Sequence, residues 1–351
     1  MNSTEKLCEI LDLTADRRPD FANLLSVLGK KTPSRPTLFE FFLNDTLEAK
    51  LAQWDGVPAT EEDYFRCKIQ AFKNAGYDYA TIRACQFFFY DVENVHKKAS
   101  QSANDGVLIS DRESYGKYNW ERPADYYNGR VERIEKFLPD DMKFIVYGPG
   151  GVLENLIELV GFDNLCFMLF DDPELVKMIV DNIGKSLCEY YELTINHDSV
   201  GAIISNDDWG FKTQTMLSTD DMREYIFPWH KKIVEIAHAA GKPVILHSCG
   251  KLDTVYDDII NGLGYDGKHS YEDTICPVED MYDKLKGKIA VLGGIDMDFV
   301  CRMPQEDIYN RCANMLKKTG CEGYALGTGN SVPEYLPDDN FLTMISAALK
   351  A

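Results

Sequence analysis

The chain has 351 residues, 45% of them apolar and 27% charged, which is the composition of an ordinary soluble globular protein. Acidic residues outnumber basic ones, 57 to 37, and the resulting net charge of −20 argues against nucleic acid and anionic membranes as partners. No segment approaches the roughly 18 uninterrupted apolar residues of a transmembrane helix, and the N-terminus lacks the apolar core of a signal peptide. We therefore expect a cytoplasmic protein whose ten cysteines are reduced thiols.

Eight short runs rich in β-branched and aromatic residues recur along the chain, with helical patterns between them. The runs occupy residues 37–42, 78–83, 143–147, 201–205, 243–247, 265–270, 289–294 and 323–327. Strands and helices that alternate in this number are typical of an α/β fold, a single (β/α)8 TIM-type barrel over residues 1–351. Residues 1–35 precede the first run, and we interpret them as an N-terminal helical extension.

The clearest helix signal runs from residue 218 to 241. Ser218 is a natural N-cap, Asp221 stands at the third helical position, and Gly241 ends the pattern. The segment from about 90 to 125 is different, because it contains many polar and turn residues and shows no clear period. It predicts an inserted segment or a lid.

Polar residues follow the ends of most of these runs, where a (β/α)8 barrel gathers its active site. Glu40 lies in the first run, and seven runs in all are associated with such residues. The others that we single out are Tyr147, Glu154, Asp207, Asp208, Trp209, His247, Cys249, Glu272 and Asn330. Their repetition at successive strand ends predicts that they meet at one face of the barrel.

The stretch "HSCG", residues 247–250, ends the fifth run and is a candidate metal site. His247 and Cys249, two residues apart on a strand end, can point to the same side and bind one soft divalent ion such as zinc. Gly250 would let the chain turn close to that ion. A buried cysteine and a hydrogen-bonded histidine are the alternative interpretation, and at least one further ligand must come from elsewhere.

The remaining ligand candidates each have a second interpretation. They are Glu154, Asn330, Glu272, Asp207 and Asp208. Asn330 suits a Gly-rich turn, and Glu154 suits the first turn of a helix. The Asp207–Asp208 pair could hold a cationic or proton-sharing group, or could supply an N-cap and a solvated charge. His269 could be a ligand or a partner that orients one, whereas His230 and His238 are interpreted as ordinary surface or core residues.

Three segments carry a resemblance to a known family: "DDWGFKTQTMLSTDDMREYIFPWHKKIVEIAHAAGKPVILHSCGKL", "VLGGIDMDFVCR" and "GYALGTGNSVPEYLP". They resemble the uroporphyrinogen decarboxylase superfamily, and more closely its branch of zinc methyltransferases that work with corrinoid proteins. The resemblance is most specific over residues 199–337 and implies a (β/α)8 barrel. It also implies zinc held by a His-x-Cys, matched by His247 and Cys249, and by a later cysteine where Asn330 stands here. This departure leads us to expect Glu154 as the third zinc ligand.

The resemblance implies an enzyme that moves a methyl group between a small methylated substrate and a corrinoid (cobalamin) carried by a partner protein. Asp207, Asp208 and Glu40 are then the candidate catalytic residues, and Tyr147, Trp209, Glu272 and Asn330 the candidate substrate-binding residues. Fewer sulfur ligands would leave more positive charge on zinc, which favours O-demethylation of an aryl methyl ether over methyl transfer to a thiol of the coenzyme M type. Homodimer formation is left open.

Two other functions are weighed against this one. Decarboxylase members of the superfamily lack the zinc pair and carry an arginine-rich N-terminal stretch for tetrapyrrole carboxylates. The corresponding region here has Arg35 as its only cation beside Glu40 and Asp45, so it disfavours a polycarboxylate substrate. A binding barrel without metal or catalysis is the other alternative, and metal content would distinguish it from the enzyme.

Overall fold

The computed structural model describes residues 3–90 and 107–351. Seven strands form one parallel sheet, and their order in the sheet is their order in the chain. They are β1 (Tyr79–Arg83), β2 (Lys143–Tyr147), β3 (Val200–Asn206), β4 (Val244–His247), β5 (Gly267–His269), β6 (Ala290–Leu292) and β7 (Tyr324–Ala325). Helices connect successive strands, which confirms the predicted α/β fold of the TIM-barrel type.

The first predicted strand, residues 37–42, is where the structure differs from the prediction. Leu38 forms a single parallel bridge with Leu326, with Phe39 N–H and Leu326 N–H each donating across the pair at 2.8 Å. On the other side, the Tyr79 hydroxyl accepts from Glu40 N–H at 2.7 Å and donates to Glu40 C=O at 2.8 Å. The segment therefore lies between β7 and β1 without forming a regular strand, because a tyrosine side chain takes the place of backbone pairing.

Helices surround the sheet on its outer side. The α-helices of the described ranges are Ser3–Thr14, Ala22–Leu28, Asp45–Leu51, Glu61–Asn74, Arg112–Lys117, Pro123–Tyr126, Arg130–Ile134, Val152–Val160, Phe162–Asp171, Pro173–Glu192, Thr219–Asp221, Phe227–Ala239, Val278–Leu285, Met297–Arg302, Gln305–Thr319 and Asp338–Leu349. A 3₁₀ turn spans Glu135–Phe137, and π-helical turns span Met222–Ile226 and Asp258–Leu263. Two of these helices fall within the predicted N-terminal extension.

The helix predicted at residues 218–241 is present as three continuous helical segments. The Ser218 hydroxyl accepts from Asp221 N–H at 3.1 Å, and Gly241 ends the helix with a φ of +70°. Of the predicted insertion, residues 91–106 lie outside the described part of the chain, and residues 107–125 contain two short helices. Within the described ranges, no helix is both long and apolar enough to cross a membrane.

The sheet is buried, and its register aligns the C-terminal ends of the strands that the predicted polar residues follow. All four residues of β4 are buried. Separately, all ten cysteines are free thiols, as the sequence predicted. Asn206 of β3 pairs with His247 of β4, which pairs in turn with His269 of β5. The residues that follow β3, β4 and β5 therefore emerge side by side at the C-terminal face of the barrel.

Candidate metal centre

Asp208, His247 and Cys249 come together at the ends of β3 and β4. One ligand atom from each lies within 4.8 Å of the others, and no second cluster of this kind occurs in the described ranges. Asp208 Oδ1 accepts from Cys249 N–H at 2.8 Å, so the carboxylate is held against the loop that carries the thiol. His247 is only 7% exposed. The structure thus places a nitrogen, a sulfur and an oxygen donor around one point.

The turn after Cys249 requires glycine. Gly250 has a φ of +85°, and a β-carbon there would meet the Gly210 carbonyl oxygen at 2.1 Å. A side chain at this position would therefore push the loop after β4 away from the loop after β3. Gly250 thereby keeps Cys249 close to Asp208.

A chain of hydrogen bonds determines the tautomer of His247. The Thr328 carbonyl can only accept, so His269 Nε2, at 3.1 Å, carries the hydrogen and donates. Burial holds the pKa of His247 well below its usual range and lowers that of His269 to about 3, so both rings are neutral. His269 Nδ1 then accepts from His247 Nδ1–H at 2.8 Å. The lone pair of His247 is left on Nε2, free for a metal ion.

Glu40 stabilises this chain of hydrogen bonds through its contacts with Thr328. Its Oε1 accepts from Thr328 N–H at 2.7 Å, and its Oε2 lies 2.5 Å from Thr328 Oγ1. The Thr328 hydroxyl donates to this oxygen and also lies 2.5 Å from the Asn330 carbonyl. Burial raises the pKa of Glu40 to about 8, although both hydrogen bonds from Thr328 act to lower it. Glu40 is fully buried, so it acts on the site through Thr328.

Two neutral donors point at the sulfur of Cys249. The Ser270 hydroxyl lies 3.2 Å from Sγ, and the Asn330 amide nitrogen lies 3.4 Å from it. Ser270 has a φ of +81°, an uncommon conformation for a residue other than glycine, of the kind found at functional sites. Burial and the Asp208 carboxylate raise the pKa of Cys249 to about 12. Cys249 is therefore a thiol unless a cation binds it.

Lys268 is a further functional candidate, for which the sequence gives no signal. It is 1% exposed, and its ammonium donates to the carbonyls of Ser248, His269 and Ser270. Burial lowers its pKa to about 8. These three carbonyls belong to the strand-end segments that carry the site, so Lys268 ties the ends of β4 and β5 together. Lys268 stands in the polar run of residues 265–270, where the sequence does not distinguish a buried lysine from an exposed one.

Asp207 and Glu154 lie beside the trio without belonging to it. Asp207, fully buried, caps the helix Val152–Val160 by accepting from Leu153 N–H at 2.9 Å and Glu154 N–H at 2.8 Å. Glu154 accepts from Gly151 N–H at 2.9 Å, and burial with the nearby Asp207 and Asp208 raises its pKa. Asp208, and not Glu154, is thus the carboxylate nearest to His247 and Cys249.

The sequence predicts His230 to be an ordinary surface or core residue, but in the structure it stabilises this region through buried hydrogen bonds. It is fully buried, and its Nε2 lies 2.8 Å from Asp207 Oδ2. Its Nδ1 lies 2.7 Å from the Tyr265 hydroxyl and 3.1 Å from Ser205 Oγ. The contact joins a helix on the outer side of the sheet to the end of β3. Spacing along the chain contains no signal for such a pair.

Two cavities open near the trio, and they contain three of the four predicted substrate-binding residues. Tyr147 lines a cavity of about 490 Å³, and Glu272 and Asn330 line one of about 800 Å³. Phe42 and Pro333 line both cavities and so separate them. Trp209 lies in neither, because its ring is fully buried against Phe227 and His230.

The fold resembles that of a solved methyltransferase. A methyltransferase from Methanosarcina mazei superposes with a TM-score of 0.68 at 14% sequence identity, covering 93% of this chain and 97% of the other. At this level of identity the likeness concerns the fold alone.

The relatives that are similar in sequence are named as decarboxylases and not as methyltransferases. The chain is 25% identical over 222 residues to uroporphyrinogen decarboxylase of Anaeromyxobacter dehalogenans strain 2CP-C, covering 62% of this chain and 61% of the relative. It is also 25% identical over 185 residues to the enzyme of the same name from Prochlorococcus marinus strain MIT 9215, covering 52% and 51%. The chain therefore matches between half and two thirds of these relatives' length. The model of the family "Uroporphyrinogen decarboxylase (URO-D)" matches residues 52–350, and the chain belongs to that family.

Proposed function

We propose that this protein is a zinc-dependent methyltransferase that moves a methyl group between a small methylated substrate and a corrinoid carried by a partner protein. The observation that carries the proposal is the trio of His247, Cys249 and Asp208, together with the hydrogen bond from His247 Nδ1 to His269, which leaves the lone pair of His247 on Nε2. The fold shared with the methyltransferase from Methanosarcina mazei is compatible with this activity.

The donor set suits zinc. Imidazole nitrogen, thiolate sulfur and carboxylate oxygen are its usual protein ligands, and three protein ligands with an open fourth position characterise catalytic zinc sites. We propose His247, Cys249 and Asp208 as these ligands, with Asp208 in the role for which the sequence suggested Glu154. When bound, zinc would supply a Lewis acid for the substrate heteroatom that carries the methyl group.

The ligand set bears on the substrate. A carboxylate oxygen donates less charge to a metal than a second thiolate sulfur does. A site with one sulfur therefore favours an aryl methyl ether, whose oxygen needs polarisation, over a thiol that needs only deprotonation. We propose O-demethylation of a methoxylated aromatic compound as the reaction and a thiol acceptor as the alternative.

The surrounding residues position the ligands and enclose the substrate. Thr328 and His269 orient the His247 ring, with Glu40 fixing Thr328. Tyr147 in the smaller cavity and Glu272 in the larger one are placed to contact substrate. We assign Trp209 to the support of the pocket wall, since its ring is fully buried.

The activity named for the sequence relatives is disfavoured by the position of Arg35. This arginine forms an ion pair with Asp78 at 2.5 Å and donates to the Arg18 carbonyl at 2.6 Å. Asp78 directly precedes β1, so the pair lies at the N-terminal face of the barrel, away from the candidate site. The single cation of residues 35–45 is thus unavailable to a polycarboxylate substrate at the opposite face.

The test is an assay with a reduced corrinoid protein and a panel of methoxylated aromatics, methylamines and methylated thiols. Formation of methyl-cobalt is followed by absorbance. We expect turnover with at least one methoxylated aromatic compound. Turnover of thiols alone would favour the alternative, and porphyrinogen decarboxylation without a corrinoid would overturn the proposal.

A further inference from the structure

Arg83 is a partly buried cation for which the described residues supply no carboxylate partner. It ends β1, and its guanidinium carbon lies 4.5 Å from the centre of the Phe88 ring and 5.4 Å from that of Tyr147. Its Nε is buried and has no hydrogen-bond partner in the described part of the chain. Arg130 and Arg311 differ, because both pair with neighbouring carboxylates. Among residues 3–90 and 107–351, the environment of Arg83 therefore supplies aromatic packing for the guanidinium but no acceptor for its Nε.

A buried donor without an acceptor destabilises the protein, so its persistence suggests an acceptor that comes from outside. Arg83 lines the cavity of about 490 Å³ that Tyr147 also lines. The guanidinium fork binds planar anions such as carboxylates through two parallel hydrogen bonds. Aromatic rings on its faces leave its edge available for such a contact.

The charges around this cavity leave Arg83 as its only uncompensated cation among the described lining residues. Lys68 also lines the cavity, but its ammonium is paired with Glu48 in a buried ion pair. The acidic lining residues, Asp45 and Glu334, are exposed and so lie at the rim in contact with water. An anionic group that reaches Arg83 is therefore attracted locally despite the negative charge of the whole protein.

The cavity adjoins the candidate metal centre. Phe41 lines it, and the Phe41 ring centre lies 4.5 Å from that of His247 and 5.1 Å from that of Tyr147. Asn206, which pairs with His247 in the sheet, is another lining residue. A ligand held at Arg83 thus lies one aromatic ring away from a proposed zinc ligand.

We propose, on the basis of the proposed function, that the methylated substrate carries an anionic group and that Arg83 binds this group in the smaller cavity. The aromatic body of the substrate then packs against Phe41 and Tyr147, and its methylated oxygen faces the metal centre. The substrate class is a methoxylated aromatic carboxylate. Arg83 is the residue that selects it over neutral methoxylated aromatics.

Direct binding tests this inference without any methyl transfer. Titration calorimetry of the zinc-loaded protein would compare 4-methoxybenzoate with the neutral 4-methoxybenzyl alcohol, and 2-mercaptoethanesulfonate would serve as an anionic thiol. We expect wild type to prefer the benzoate, and Arg83→Gln to weaken its binding by about tenfold or more while leaving the alcohol unchanged. Arg83→Lys should retain part of the preference, since it keeps the charge but loses the fork. Tighter binding of the sulfonate than of the benzoate would make the substrate an anionic thiol.

Arg66→Gln is the matched control, because Arg66 is exposed and also stacks on an aromatic ring, that of Trp54 at 5.6 Å. Equal binding of benzoate and alcohol by wild type, absence of binding by either anion, or equal weakening of both ligands in Arg83→Gln and Arg83→Lys would overturn the inference. Thermal unfolding of each variant shows whether it is folded. Preferential anion binding without methyl-cobalt formation would leave this subsite intact and refute the proposed function alone.

Discussion

The amide nitrogen of Asn330 lies 3.4 Å from the sulfur of Cys249, although the two residues are 81 positions apart in the chain. Asn330 follows β7, and Cys249 follows β4. Asn330 stands where the family resemblance places a second cysteine ligand. The structure brings the two positions together, so the site has the architecture for a second sulfur but carries an amide instead.

We predict that Asn330→Cys binds zinc at least about tenfold more tightly than wild type, because it adds a thiolate within reach of the metal. Competition with a chromophoric chelator measures the affinity. Asn330→Ser, which adds no strong ligand, is the matched control and should not tighten binding. Unchanged affinity in Asn330→Cys would place residue 330 outside the coordination sphere.

The proposed ligand set predicts different zinc contents for variants of neighbouring carboxylates. Cys249→Ser and Asp208→Asn should lose most of the bound zinc, because each removes an anionic donor from the trio. Glu154→Gln should retain it, since Glu154 lies outside the trio. Elemental analysis of protein purified without chelator gives the answer. Retention by Asp208→Asn with loss by Glu154→Gln would restore Glu154 as the third ligand.

His269→Phe should weaken zinc binding by about 10- to 100-fold, because His247 Nδ1–H loses its acceptor and the ring is no longer held in one tautomer. Phenylalanine retains the edge-on packing of residue 269 against Phe39, whose ring centre lies 5.0 Å away. The readout is zinc affinity by chelator competition. His238→Gln, at a partly exposed histidine, is the control, and equal affinity of wild type and His269→Phe would refute the role assigned to His269.

Glu40 should make the protein less stable as pH rises. Its pKa is about 8 in the folded chain against 4.5 for an unperturbed carboxyl, so the folded state binds more protons between these values. The favourable contribution of the protonated Glu40 carboxyl to the free energy of unfolding is complete below about pH 4.5. This contribution is lost as pH rises through 8. Glu40→Gln mimics the protonated acid and should flatten this dependence by about 3 kcal/mol between pH 5 and 8.

Urea unfolding at several pH values measures the effect of Glu40→Gln against wild type. Glu113→Gln changes an exposed carboxylate and serves as the control, for which the difference from wild type should stay flat. If the stability difference between wild type and Glu40→Gln does not vary with pH, Glu40 is not protonated in the folded protein.

The sequence predicted those parts of the site that depend on local pattern. His247, Cys249 and Gly250 follow directly from an apolar run and a tight turn, and the helix from Ser218 to Gly241 follows from its cap and its period. Such features need only a few neighbouring residues to be recognised.

What the sequence did not predict depends on pairing between distant segments. Residues 37–42 have the composition of a strand, yet on the side of β1 the Tyr79 hydroxyl, and not a strand backbone, bonds to Glu40 N–H and C=O. The position of Asp208 next to His247 and Cys249, which makes it a better candidate ligand than Glu154, depends on the register of β3 against β4. Lys268 gave no signal because its buried ammonium is satisfied entirely by backbone carbonyls.

The most direct test of the central claim is the dependence of methyl-cobalt formation on zinc bound at this trio. Wild type would be stripped with a chelator, reloaded with graded amounts of zinc, and assayed with a reduced corrinoid protein and a methoxylated aromatic carboxylate. We predict that the initial rate rises in proportion to bound zinc up to one ion per chain, and that Cys249→Ser stays inactive at every zinc level. Full activity of the stripped protein, or wild-type rates from Cys249→Ser, would contradict the account.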